Sequence, residues 1–583
     1  MSVACTGLGG RHDQRPFPTT VRSRDFMALE TTSPTKRAPL GTSPTAPGGA
    51  QTSFLARASL VIVMLFVVLR ALPILTYPLG CDHGVYLTIG KGLLDGKHLY
   101  RDLSDMKPPG IFIAYAGIAK IFGRAAWSAA AADIVLLFVI SYLLFRFAEP
   151  YLGWAGAGVA VLVQASMHGE MTYFWVSQPE TFQIVCVLFG YLLMWRQQRW
   201  IRLSAFAAGV LLGYACLLKY NAVAFLPFLV ILPYLDTRGL DRAPRRVSIS
   251  IPWRDWMARV ALVAAGLAAV VAVVMTWVVV TGGWPVMREL EFEVLPRYAA
   301  MGIRHNPQYL LSAFARTNYY LGVWNLWAML AGILVAWLRR DLKRFAPLFL
   351  SALSACAAVV MQIRFADYYF QTCYPFFAAL WAYLAICLYE GCLALSRSLK
   401  QRGWRLAAGL VWLVFAEAVF WPLPAEFSRL NMRYEELREW IADPEAFYSN
   451  YPGQMPIEKF RAQFEVIHYL ERNAKSSDGV YLWGPPCAIY YLSGHDPPNR
   501  FVTNMGVMST WCPFSWRDEL VGDLRTSRPR FIVVARHDEL PTLTYVNLDS
   551  EKFIKKLPQL DALMTQDYRV VADFDSFVIY RRE

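Results

Sequence analysis

Leu60-Val61-Ile62-Val63-Met64-Leu65-Phe66-Val67-Val68-Leu69 is the centre of an apolar run, residues 58–77, in which Arg70 is the sole charge. A helix needs about 20 such residues to cross the roughly 30 Å hydrocarbon core of a bilayer, and it satisfies its own backbone while doing so. Ten further runs follow, at 126–147, 152–167, 179–195, 203–219, 222–235, 259–281, 317–337, 345–362, 371–391 and 404–421. Several fall short of the usual length, so their ends are soft. The pattern predicts a polytopic α-helical membrane protein with about 11 transmembrane helices. Composition agrees: of 583 residues, 56% are hydrophobic and 17% charged, against about a quarter charged in soluble domains.

The net charge is +13, but the Lys and Arg residues sit mostly in short loops between the apolar runs. There they report topology and contact with anionic headgroups, not nucleic acid. Four loops are basic: 196–202, 238–259, 339–344 and 397–405. The positive-inside rule puts them in the cytoplasm, together with the basic tail before residue 58. Residue 78 and the loop 168–178 are then outside. Ile111–Phe122 begins and ends on that same outer side. At about a dozen residues it is too short to span, so it reads as a re-entrant or juxtamembrane helix.

The same parity leaves residues 423–583 outside. They combine helical spacing at Ile457–Asn473 with β-rich runs at Val480–Trp483, Phe531–Ala535 and Phe577–Tyr580, which predicts a small C-terminal α/β domain. Three parts are therefore expected. Residues 1–52, rich in Ser, Thr, Pro and Gly, form a disordered cytoplasmic tail in which Met1 and Met27 both fit as the start. Residues 53–422 form the transmembrane domain, with a first outer loop at 78–125, and residues 423–583 form the extracytoplasmic domain. The expected location is the inner (plasma) membrane, multi-pass, with the N-terminus cytoplasmic and the C-terminal domain periplasmic or extracellular. In such a compartment Cys487 and Cys512 are able to pair, and the sequence leaves open whether they do.

The first outer loop holds the most unusual residues: Cys81-Asp82-His83-Gly84-Val85-Tyr86, then Tyr100-Arg101-Asp102-Leu103-Ser104-Asp105-Met106-Lys107-Pro108-Pro109-Gly110. Asp82 is placed to N-cap the segment that follows it. Val85, Ile89 and Leu93 share a helical face, which predicts a short interfacial helix on the membrane. The bland reading makes Asp82 only a cap and Lys107 only an interfacial anchor. Other ionisable residues gather on the same side: His168, Glu170 and Glu180, Lys219 at the outer end of a span, and Arg364 and Asp367 beside Tyr368. Such residues at membrane depth are costly and usually functional, although a Lys at a helix end also snorkels. Several cations and carboxylates converging on the outer leaflet suit an anionic lipid headgroup that carries a polar payload.

These motifs resemble those of the C-type (GT-C) polyprenyl-phosphate-sugar-dependent glycosyltransferases, the group of the protein O-mannosyltransferases, the lipid A aminoarabinose transferase and the RgtA-to-RgtD-like enzymes. Asp82-His83-Gly84-Val85-Tyr86 resembles the family's acidic motif after the first helix. Tyr100-Arg101-Asp102 through Lys107-Pro108-Pro109 resembles its Tyr-x-Asp and Asp-x-Lys-Pro-Pro signature, the most specific part. Gln178-Pro179-Glu180 occupies the place of the second-loop acid, and Leu218-Lys219 is similar to the Lys ending a later helix. Arg364 through Pro375 resembles a further stretch, with Asp367 where His is common. Val480–Gly484 and Tyr491–Gly494 look like a strand and turn of the family's outer domain. The resemblance covers 58 to about 505.

It implies a membrane glycosyltransferase that moves a sugar, with inversion, from a polyprenyl-phosphate donor to an envelope lipid, glycan or protein on the outer face. Asp82 would be the general base, and Glu180 would orient acceptor or sugar. Lys107 and Lys219 would hold the donor phosphate, helped by Arg101 and Arg364. His83, Tyr86, Asp105, Glu170, Asp367 and Tyr368 are further candidates for acceptor or sugar contacts. The chemistry is coherent, because a departing phosphate needs fixed cations more than a strong acid, and the attacking hydroxyl or amine needs a carboxylate. No cofactor is expected and no His/Cys ligand cluster points to a metal, though a divalent ion stays open. The alternatives are an O-antigen ligase or polymerase, which a Lys-Pro-Pro first loop fits less well, and a transporter, for which no repeat of the apolar pattern is seen.

Overall fold

The apolar run that opens the chain forms α1, Gly49–Ala71, continued by a 3₁₀ turn at Leu72–Thr76 where Pro73 interrupts the hydrogen-bond ladder. The structure is a computed structural model describing residues 49–196, 200–235, 252–304, 323–362, 366–398, 406, 409–410, 423–453 and 455–583. After α1 come α2 (Cys81–Leu94), α3 (Pro109–Phe122), α4 (Ser128–Gly169), α5 (Pro179–Arg196) and α6 (Ile201–Leu218). Then follow α7 (Leu226–Ile231), α8 (Trp253–Val280), α9 (Trp284–Glu289) and α10 (Leu295–Arg304), with apolar helices Val323–Arg339, Leu342–Val360 and Tyr374–Ser398 beyond them.

Among the described residues, 6 helices are long and apolar enough to cross a membrane, and four shorter apolar ones accompany them. The expected spans 126–147 and 152–167 are the two arms of α4, which breaks at Gly153 with φ 69°, a backbone conformation that L side chains rarely adopt. The expected spans 179–195 and 222–235 fall on shorter helices, the second made of α7 with a 3₁₀ turn on either side; of the expected span 317–337, residues 317–322 lie outside the described residues and the rest falls on Val323–Arg339. The expected span 404–421 lies outside the described residues except at 406 and 409–410, and so does nearly all of the basic loop 238–259 before Pro252. Helices pack where small residues let backbones meet. A Cβ on Gly209 of α6 would fall 2.1 Å from the Val263 carbonyl oxygen of α8.

The C-terminal part holds one four-stranded sheet in the order β1-β2-β4-β3, from β1 (Val480–Trp483), β2 (Phe531–Ala535), β3 (Tyr568–Phe574) and β4 (Phe577–Arg582). β1 and β2 run parallel, with helix Ser515–Ser527 between them in the chain, and β4 joins antiparallel. Every residue of β1 and β2 is buried, as two-sided cover requires. β3 was not foreseen. Its faces alternate too weakly to register as a strand. Cys487 and Cys512 are both free thiols and both buried.

One expectation is overturned. α2 forms where the Val85, Ile89 and Leu93 spacing puts it, but it does not lie on a membrane surface. It is buried on nearly every side, between α3 and the C-terminal helix Ala488–Ser493. The packing partner arrives from 400 residues downstream, and no local pattern announces it. The apolar core is accordingly continuous from α2 and α3 through β1 and β2.

Candidate functional site

Gly80, not Asp82, is the N-cap of α2, so the expected capping role falls away and the carboxylate stands in the first turn instead. There the exposed backbone N–H groups and helix dipole favour negative charge. His83, one residue on, fixes the helix start. Its Nδ1 accepts from the Gly80 N–H at 3.1 Å and its Nε2 donates to the Val176 carbonyl at 2.7 Å. Burial pushes the imidazole pKa down, so it stays neutral and both ring nitrogens are used. His83 anchors the site and does not line it. Tyr86, one turn beyond Asp82, brings its hydroxyl to 3.5 Å from Asp82 Oδ2.

The loop from α2 to α3 is pinned by its own residues. Tyr100 takes φ 66°, donates its N–H to the Leu103 carbonyl at 2.7 Å, and places its hydroxyl on the Lys107 carbonyl at 2.8 Å. Ser104 bonds the Arg500 carbonyl through both N–H and Oγ, at 2.8 and 3.0 Å. Asp105 Oδ2 accepts the Lys107 N–H at 3.3 Å, and Pro108-Pro109 opens α3 immediately after. Burial pulls the Lys107 ammonium down, but the nearby charges of Asp82, Asp105 and Glu180 outweigh it and raise its pKa above the ordinary lysine value. Burial raises the Asp105 carboxyl, opposed by Lys107 and abetted by Asp82. Lys107 forms no ion pair among the described residues, which leaves its ammonium to an incoming anion.

Asp82, Tyr86, Asp105 and Lys107 line one cavity of about 430 Å³. Asp367, Tyr368 and Tyr369 close a second side, and Leu290, just after α9, and Tyr298, in α10, a third. The C-terminal part supplies the rest, with Met505, Trp511, Trp516 and Leu543 prominent. Trp511 is locked by its indole N–H on the Leu543 carbonyl at 2.8 Å and packs edge-on to Tyr298, ring centres 4.9 Å apart.

The remaining expected residues are placed otherwise. Lys219 and Glu180 pair with each other behind the cavity, with Lys219 Nζ 3.5 Å from the centre of the Tyr369 ring. Glu180 is fully buried and its Oε2 has no hydrogen-bond partner among the described residues. Arg101 points outward, exposed and paired with Asp102 at 2.8 Å. Glu170 bonds Arg429 at 2.8 Å and Arg70 at 3.5 Å, away from the cavity. Arg364 lies outside the described residues. Sequence reasoning missed Tyr369, Tyr298, Trp511 and Trp516. The Tyr368-Tyr369 pair beside Asp367 was the available hint, whereas nothing local marks 284–304 or the tryptophans as cavity wall. Among the described residues no group of three or more His, Cys, Asp or Glu side chains is placed to hold a metal ion.

Residues 106–253 match the family model described as dolichyl-phosphate-mannose-protein mannosyltransferase. No curated protein sequence matches the chain. Among solved structures it is similar to ArnT from Cupriavidus metallidurans bound to undecaprenyl phosphate, 14% identical, covering 91% of this chain and 98% of that one, TM-score 0.44. It is also similar to the oligosaccharyltransferase AglB from Archaeoglobus fulgidus in complex with an inhibitory peptide and a dolichol-phosphate, 13% identical, covering 91% and 74%, TM-score 0.45. The Lys107-Pro108-Pro109 motif of the first loop falls at the start of the segment, residues 106–253, that is similar to this family.

Proposed function

We propose that the chain transfers a sugar from a polyprenyl-phosphate donor to an envelope acceptor at the outer face of the membrane, with inversion. The observation that carries this reading is one cavity lined by a helix-terminal carboxylate, Asp82, and an unpaired ammonium, Lys107. The acceptor's hydroxyl or amine attacks the anomeric carbon, and Asp82 takes its proton as the new bond forms. The bond from the anomeric carbon to the phosphate oxygen breaks, and the departing lipid phosphate gathers charge that Lys107 meets in a largely enclosed space. Lys219 and Glu180 support that phosphate from behind Tyr369, and Asp105 holds the Lys107 loop. Tyr86, Asp367 and Tyr368 bound the sugar. The outer domain completes the acceptor side, with residues 423–583 periplasmic or extracellular and the N-terminus cytoplasmic.

The test is turnover by the purified chain in lipid nanodiscs, supplied with prenyl-phosphate hexoses and pentoses and an envelope extract. Release of free prenyl phosphate that depends on the extract is expected. Binding of no prenyl-phosphate glycoside would overturn the proposal.

A further inference from the structure

α2 and the C-terminal domain meet at a close backbone approach beside the cavity. A Cβ on Gly84 would fall 2.3 Å from the Ala488 nitrogen and 2.9 Å from the Cys487 carbonyl carbon. Thr88, one turn later, donates its hydroxyl to the Cys487 carbonyl at 3.1 Å. Cys81, three residues before Gly84, shares that helical face. Its thiol donates to the Pro485 carbonyl at 3.0 Å, and the Cys487 sulfur, whose nearer acceptor is the Val502 carbonyl at 3.1 Å, lies 3.3 Å from the same Pro485 oxygen. Two buried free thiols from opposite ends of the chain therefore converge on one acceptor atom.

We propose that Cys81 and Cys487 are a disulfide-forming pair that fastens the outer domain to the helix carrying Asp82. The pairing left open in the sequence, Cys487 with Cys512, is not the one this geometry favours. Two sulfurs that lie 3.0 and 3.3 Å from one oxygen are at most 6.3 Å apart, and a disulfide closes that gap to about 2.05 Å. The oxidant is a disulfide of the thiol–disulfide exchange class. One thiolate of the pair attacks it and expels the first oxidant thiolate, and the second thiolate attacks the mixed disulfide and expels the other. Two electrons pass to the oxidant, and the two protons end on its two thiols. An oxidising outer compartment supplies such partners. The pair would then hold the seam shut while leaving Asp82 itself untouched.

The full chain is isolated from membranes with N-ethylmaleimide present, exposed or not to oxidised glutathione before trapping, and digested with trypsin without reduction. Peptides 71–91 and 476–500 contain one cysteine each, Cys81 and Cys487. The expected result is these two linked, two hydrogens lighter than their sum and separated by dithiothreitol. Cys81→Ser abolishes the link and Cys512→Ser leaves it. Dithiothreitol also lowers the unfolding temperature of the wild type but not of Cys487→Ser. The proposal is overturned if both peptides appear only as alkylated monomers after glutathione treatment, or if 476–500 is linked to the Cys512 peptide, 501–517. Transfer activity does not enter either readout, so the glycosyltransferase reading stands or falls separately.

Discussion

The loop that follows α1 and the loop between α4 and α5 are both rich in ionisable residues, yet they use them in opposite ways. In the second, Glu170 is tied to Arg70 and Arg429, His168 Nε2 meets Asp133 at 2.6 Å, and Glu180 holds Lys219. In the first, the framework is made by groups that carry no charge or point outward. His83 bonds a carbonyl, Tyr100 bonds the Lys107 carbonyl, Ser104 bonds the Arg500 carbonyl, and Arg101 meets Asp102 at the surface. Asp82 and Lys107 are left facing a cavity. Charge density alone therefore does not mark the site. Charge that the fold has not neutralised does, because only such charge can respond to a substrate.

The strongest way to break this contrast is Asp82→Asn, which removes the base and keeps its shape. Transfer is expected to fall by about 10²–10⁴-fold, the usual worth of a positioned general base, while the protein stays folded in membranes. Near-normal turnover of a radiolabelled donor would take Asp82 out of the chemistry. Lys107→Met is expected next in size, a loss of about 10²–10³-fold from removing one fixed stabiliser of the leaving group, and it should be felt in the chemical step. If only acceptor affinity changed, Lys107 would be an anchor and not a clamp.

Glu180→Gln sharpens the comparison from the other side. It strands a lysine that is 14% exposed, and breaking a buried pair from one end costs about 3 kcal/mol or more, so thermal unfolding should occur well below the wild type. The double change Glu180→Gln with Lys219→Met should recover most of that stability, since no charge then remains unpaired. Donor turnover in the stable double variant decides the rest. A clear loss assigns the pair to phosphate support through Tyr369, and unchanged turnover makes it purely structural.

The sequence made some of this plain and hid the rest for physical reasons. Helices long enough to cross a membrane, the short α3 and the strands β1, β2 and β4 follow from runs and periods that local physics imposes. Asp82, Tyr86, Asp105, Lys107, Asp367 and Tyr368 were named in advance and do share one cavity. What failed is what depends on a distant partner or on the direction a side chain takes. α2 read as a surface helix because its outward cover, Ala488–Ser493, lies 400 residues downstream. Arg101 read as a phosphate ligand because spacing cannot tell that its guanidinium turns outward to the adjacent Asp102. Trp511 and Trp516 carry no periodic signal, since a wall residue in an outer domain is defined only by what it faces.

Glu170 provides the smallest effect and the cleanest control. It sits in the second loop among residues that looked as promising as Glu180, but it is 46% exposed and its partners Arg429 and Arg70 hold it at the surface. The Arg429 pair is exposed on both sides, and such pairs are worth about 0–1 kcal/mol, because water screens the charges and the long side chains give up freedom to meet; Arg70 is itself buried, but it meets Glu170 only at 3.5 Å. Glu170→Gln should therefore lower unfolding temperature only slightly and leave transfer within about twofold of wild type, an energy difference under 1 kcal/mol. A loss on the scale of Asp82→Asn would mean that a neutralised surface carboxylate reaches the reacting atoms, and the distinction between engaged and free charge would no longer locate the site.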